Sequence, residues 1–173
     1  MKTFYTSDTH FNHANIIKYS DRPFPGGVRD MNECMIERWN SVVGKDDIVY
    51  HIGDFAMGNK DLAPEIVRRL DGYKVIVAGN HDPSHSRLLS WGFKEVHKHL
   101  DLADGGVRLF LRHAPPKEAY VDGPTWRLTE SSGEAQIFLH GHVHEMWSRK
   151  GPYVNVGVDV RDFFPKTIDQ LLE

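Results

Sequence analysis

Five short segments of this chain carry side chains that can ligate a divalent metal, and most of them sit where a strand-like run ends. They are Asp8-Thr9-His10, Gly53-Asp54, Gly79-Asn80-His81-Asp82, His113 and Gly141-His142-Val143-His144. This placement constrains the fold. Four separate strands must deliver their carboxyl ends to one edge, the usual place for a site in an α/β sheet. A glycine precedes a candidate ligand at positions 53, 79 and 141, where a sharp turn and a close backbone approach are needed.

The runs themselves alternate between two periods. Residues 2–7 read as a strand, and Asp47 to Ile52 and Lys74 to Ala78 read as buried strands. Between them, Asp30 to Val43 predicts a helix with Met31, Met35, Trp39 and Val42 near helical spacing and Asp30 as N-cap. Asp61 to Leu70 predicts a second helix, closed by Gly72, and Pro83 to Trp91 a third with proline in its first turn. Beyond residue 93 the pattern changes to short strands at about 94–102, 107–112, 135–139 and 152–157, with a closing helix after Thr167. Strand and helix in this order predict sheets with helices packed on them. Residues 114–133, rich in Pro, Gly, Ser and Thr, predict a long loop.

At 173 residues, 40% hydrophobic and 26% charged, the chain reads as one soluble domain spanning 1–173. Its formal charge of −3 gives no steering toward nucleic acid or anionic membranes. The pairs Arg68-Arg69 and Arg149-Lys150 are too short for an extended nucleic-acid surface. No apolar segment approaches a membrane span, and no leader pattern opens the chain, so a cytoplasmic location is expected. The single cysteine, Cys34, excludes an internal disulfide and a thiolate zinc site. The unusual figure is eleven histidines, scattered rather than run together. Histidine is the commonest metal ligand, so this excess points to metal chemistry.

The ordered set Asp-x-His, Gly-Asp, Gly-Asn-His-Asp, His, Gly-His-x-His resembles the calcineurin-like metallophosphoesterase superfamily, over residues 8 to 144. The wording Ser7-Asp8-Thr9-His10-Phe11-Asn12-His13 is similar to a small single-domain branch found in bacteria and their viruses. The resemblance implies a four-layer α/β/β/α sandwich of two mixed β-sheets flanked by helices. It also implies two divalent ions, Mn²⁺ first and otherwise Fe, Zn²⁺, Ni²⁺ or Co²⁺. Asp8, His10, Asp54 and His144 would hold the first, and Asp54, Asn80, His113 and His142 the second, with Asp54 bridging. A water shared by the pair would attack phosphorus. His81 would protonate the departing oxygen, and Asp82 would orient its ring. The expected activity is phosphoester hydrolysis, with phosphodiesters favoured. Nucleotides or cyclic nucleotides are among the candidate substrates. The alternatives are a phosphomonoesterase acting on nucleotides or phosphoproteins, and a catalytically silent interaction module on the same fold.

Other residues carry weaker signals. His51 and His140 precede the site glycines and are expected to pack beneath the site or brace a ligand. His85, His97 and His99 have no ligand motif around them. His13 can contact substrate, or it can stabilise a turn with Asn12. Arg22 and Arg161 can each bind a phosphate oxygen, but a solvated arginine is the default. Phe11, Trp126 and Trp147 can stack on a ring, although most aromatics in such a chain are core.

Overall fold

The computed structural model describes residues 1–120 and 136–173. Strands β1 (Thr3–Thr6), β2 (Ile48–His51), β3 (Tyr73–Val77) and β4 (Glu95–His97) form a first sheet in that order, parallel throughout. Phe4 lies opposite Val49, and Val49 opposite Lys74. A parallel sheet needs covered faces, and the near-continuous apolar runs of β2 and β3 supply residues for both. Strands β5 (Leu100–Asp104), β6 (Val107–Leu111), β7 (Gln136–His140), β8 (Arg149–Lys150) and β9 (Tyr153–Asn155) form a second, mixed sheet. Its order is β5-β6-β7-β9-β8.

Two cores follow from the alternation of side chains. Phe4, Val49 and Ile76 face one way, onto Met31, Met35 and Trp39 of α2 (Val28–Val42). Helices α3 (Ala63–Arg69) and α4 (His85–Trp91) add Ile66, Val67 and Leu88 to the same layer. Tyr5, Ile52 and Val77 face the other way, onto Leu109, Leu111, Leu139 and Val154 of the second sheet. Helix α5 (Ile168–Leu172) closes this inner core with Ile168 and Leu171. The molecule is therefore two sheets packed face to face and flanked by helices, as the sequence led us to expect. The four named strands of the first sheet run parallel, and Lys166 adds an antiparallel bridge to Tyr5 on the free edge of β1. No described helix is long and apolar enough to cross a membrane.

Several boundaries move. The single strand expected at 94–102 is two strands in different sheets: the chain leaves β4 at His97 and enters β5 at Leu100. An alternating run shows a strand but not the sheet it joins. Helix α2 starts at Val28 with Gly27 at its N-cap, so Asp30 lies in the first turn instead, and Val42 is 38% exposed. Helix α4 starts at His85, after Pro83. The short helix α1 (Ile16–Tyr19) was not expected from the sequence. Of the loop at 114–133, residues Lys117–Tyr120 form a 3₁₀ turn, and the part from 121 on lies outside the described residues.

Candidate metal centre

β1, β2 and β3 end at Thr6, His51 and Val77, and the next few residues of each are the candidate ligand segments. β6 and β7 end at Leu111 and His140, just before His113 and Gly141-His142. Hydrogen bonding continues beyond the strands and fixes these turns. Asp8 N–H donates to the Gly53 carbonyl (3.0 Å), His10 N–H to the Asp54 carbonyl (3.0 Å), and Gly141 N–H to the His113 carbonyl (2.9 Å). Five segment residues, Asp8, His10, Asp54, His142 and His144, and the neighbouring Asn12 adopt left-handed backbone that side chains disfavour. Such strain survives only where surrounding structure over-determines it, and it clusters at functional sites.

The side chains then converge. Asp8, His10 and His144 form one group that can hold a metal ion, and Asp8, Asp54 and His113 a second, each with ligand atoms within 4.8 Å of one another. Asp54 Oδ2 lies 3.6 Å from His10 Nε2 and 3.2 Å from His113 Nε2. The Asn80 side-chain oxygen is 3.1 Å from both His113 Nε2 and His142 Nδ1. Asp8 accepts the His142 backbone N–H at 3.0 Å. All seven residues expected as ligands thus share one edge of the sandwich. Glycine is required at 141, where a Cβ would overlap the Asp8 carboxylate and Ser7.

Burial sets the protonation states. It lowers His10 to about 3, outweighing the attraction of Asp54, so this ring stays neutral at ordinary pH. Burial would lower His113 as well, but the Asp54 hydrogen bond and the charges of Asp8 and Asp54 raise it to about 9. Burial would raise Asp54; His113 and the backbone N–H of His81 overcome it and hold the carboxyl below its usual range.

His81 is exposed, with its backbone N–H on Asp54 Oδ1 (2.9 Å) and its ring edge-on to His10, centroids 5.8 Å apart. The role expected for Asp82 is corrected. Its carboxylate accepts three backbone N–H groups, those of Asp54 (2.8 Å), Phe55 (3.0 Å) and Gly79 (2.8 Å). It ties two ligand turns together, because backbone donors at the turns reach it first. His13 Nδ1 is 3.3 Å from His10 Nδ1, while Asn12 exchanges hydrogen bonds with Asn32.

Sequence reasoning missed an ion pair. Arg22, given a solvated default, has a fully buried side chain. Its Nε bonds Asp159 Oδ1 at 2.7 Å, and its two Nη atoms donate to the Thr9 and Asp8 carbonyls at 2.9 and 2.7 Å. Asp159 Oδ2 lies 2.9 Å from His144 Nδ1, which leaves Nε2 of that ring for the metal side, a carboxylate–histidine support. The only sequence signal was Gly157-Val158-Asp159 following an apolar strand. Arg161 bonds the Asn155 and Ser148 carbonyls. His51 contacts Thr9 Oγ1 at 3.0 Å, and His140 the Gly141 carbonyl at 2.9 Å, so both brace ligand turns. His97 pairs with Glu95, and His99 stacks on Phe110. Phe11 is buried in the core, Trp147 packs on His140, and Trp126 lies outside the described residues.

Comparison with known proteins agrees with this geometry. The model of the calcineurin-like phosphoesterase superfamily domain matches residues 1–164. The chain is similar to an uncharacterised protein of Methanocaldococcus jannaschii, 32% identical over 181 residues, covering 99% of this chain and 90% of that protein. It is also similar to the gene 66 protein of Mycobacterium phage D29, 31% identical over 166 residues, covering 82% of this chain and 77% of that one. A crystal structure of a protein of unknown function from Aquifex aeolicus resembles it with a TM-score of 0.70 and 28% identity, over 94% of this chain and 93% of the other. With the match running through nearly the whole sequence and every candidate ligand inside it, the chain belongs to the calcineurin-like phosphoesterase superfamily.

Proposed function

We propose that residues 1–173 form one cytoplasmic phosphoesterase domain that hydrolyses phosphodiesters with two divalent cations, Mn²⁺ serving in vitro. The observation that carries this reading is the position of Asp54 Oδ2, shared between His10 Nε2 at 3.6 Å and His113 Nε2 at 3.2 Å. The residues fit such a pair. His10 Nε2 is buried and has no hydrogen-bond partner, a costly state that a cation would relieve. The donors are carboxylate and amide oxygens and imidazole nitrogens, a set suited to Mn²⁺, Fe, Zn²⁺, Ni²⁺ or Co²⁺. Asp8, His10, Asp54 and His144 would hold one ion, and Asp54, Asn80, His113 and His142 the other.

When bound, the pair would neutralise phosphoryl charge and make a water easier to deprotonate for attack on phosphorus. The chain's own groups do the rest. Asp54 Oδ1 holds the His81 backbone, and His81 is part of the lining of the adjoining cleft. From there a ring nitrogen hands its proton to the departing ester oxygen. Asp82 keeps the Asp54 and Gly79 turns in register, and His13 borders the cleft as a substrate contact. Diesters are favoured because no lysine or arginine lines the cleft among the described residues. Beyond the ions, the described lining would offer no cationic side chain to the second negative charge of a monoester.

Turnover of bis(4-nitrophenyl) phosphate and of 4-nitrophenyl phosphate by the Mn²⁺-loaded protein tests the reading, with the diester expected to react faster. Faster monoester turnover would make the protein a phosphatase. A protein that takes up no metal and turns over neither ester under any divalent ion would be an interaction module.

A further inference from the structure

The cleft beside the candidate metal centre is walled largely by carbon. It encloses about 480 Å³ and includes His81, Tyr19, Met57 and Met146 in its lining. That volume lies within the range of about 300–1,000 Å³ typical of small-molecule sites. Tyr19 is 69% exposed and Met146 68%; apart from Met1, no large apolar side chain among the described residues is more exposed. Two such side chains on one cleft are a binding signal, since soluble proteins rarely gather exposed apolar surface without a use for it. Tyr19 is also tied to the metal side. Its ring meets His13 edge-on at 6.1 Å, and His13 lies 5.3 Å from His10. Glu145 is the one carboxylate of the described lining, and no lysine or arginine is part of it.

We propose that this cleft receives the ester group of the substrate, and that the group is an uncharged flat ring, nucleobase or aryl, held between Tyr19 and Met146. The proposal rests on the phosphoesterase reading above. A ring can stack on Tyr19 and meet the polarizable sulfur of Met146. Because His81 lines the same cleft, the ring belongs to the departing alcohol. Glu145 repels further phosphates, which sets nucleoside polyphosphates and the interior of a polynucleotide apart from compact esters with one phosphate per ring.

The test is calorimetric binding of phenylphosphonate and methylphosphonate to the Mn²⁺-loaded protein, wild type and Tyr19→Ala/Met146→Ala. The wild type is expected to prefer the phenyl compound by about tenfold or more, the scale of burying one ring. The double variant is expected to lose most of that preference. Equal affinity of the wild type for both compounds overturns the ring subsite and leaves the phosphoesterase reading standing. An equal loss of both ligands in the variant also overturns it, by making the two residues supports of the metal site. If neither phosphonate binds a protein shown to contain Mn²⁺, the ring subsite falls, and turnover of the two nitrophenyl esters decides the phosphoesterase reading separately.

Discussion

Individual residues in this site are held where their chemistry, not their backbone preference, requires. Asp8, His10, Asp54, His142 and His144 all have positive φ, at a cost of about 1 kcal/mol or more each. The residue types were legible in the sequence, and the strain was not, because it is imposed by turns fastened to neighbouring strands. His81 and Asp82 show the difference sharply. Removal of the His81 ring is expected to leave metal content intact and slow turnover by about 10²–10⁴-fold, most for poor leaving groups. Asp82→Ala instead strands three backbone N–H groups, at about 1–3 kcal/mol each, and is expected to lower both stability and metal content. Metal analysis alongside kinetics on aryl esters of graded acidity separates the two. If His81→Ala loses metal, the ring is a ligand. Buried His51, held near 3 by desolvation, gives a pH prediction. A folded-state pKa below the unfolded value of about 6.5 means that the unfolded chain gains a proton first as pH falls. Stability from this group is complete above that unfolded value and is lost as pH drops from about 6.5 toward 3. Burial acts likewise on His10, to about 3, and on His140, to about 4. His51→Gln should make the acid-side slope of metal-free stability shallower by about 1.4 kcal/mol per pH unit, read by urea unfolding at pH 6, 5.5 and 5. An unchanged slope would mean that His51 is protonated in the fold.

Among the elements, strands are what the sequence displayed most clearly, since apolar runs ending on polar turns leave little choice of period. β1, β2, β3, β6 and β7 all lie inside the runs expected for them, apart from an offset of one residue at Tyr73 and His140. Their ends, which carry the site, were legible for the same reason. Helix starts were less so: α2 begins on Gly27, whose φ of +92° suits glycine, and an aspartate three residues on looked like the cap. The β4–β5 division was hidden because one alternating pattern serves two sheets. Between β7 and the His142 turn, close packing gives a further prediction. Gly141→Ala places a methyl against Asp8 and Ser7, so overpacking of about 1–3 kcal/mol is expected. The fold should persist by circular dichroism while the protein binds less Mn²⁺. Full metal binding would show that the Asp8 turn can move aside.

On the scale of the whole molecule, the candidate ligands come from both sheets. Asp8, His10, Asp54 and Asn80 follow strands of the first sheet, and His113, His142 and His144 follow strands of the second. Ions held there would join two layers that otherwise meet through the inner core. Mn²⁺ at a hundredfold excess over its dissociation constant should therefore stabilise the protein by about 2.7 kcal/mol per site, and a chelator should reverse this. Differential scanning calorimetry measures the effect. An unmoved transition in a protein carrying both ions would mean that they bind the unfolded chain equally well. The sequence by itself determined the inventory of candidate ligands, the strand ends that present them and the superfamily, because each is written in a few adjacent residues. Only the tertiary structure decided which distant residues serve that inventory. Arg22 and Asp159 are 137 positions apart, and their pairing behind His144 depends on two sheets closing on each other. The cleft lined by Tyr19 and Met146 arises in the same way, from helix α1 after β1 and a 3₁₀ turn after β7 brought side by side. Local periodicity reports which face a residue takes; it carries no record of which far segment will meet that face.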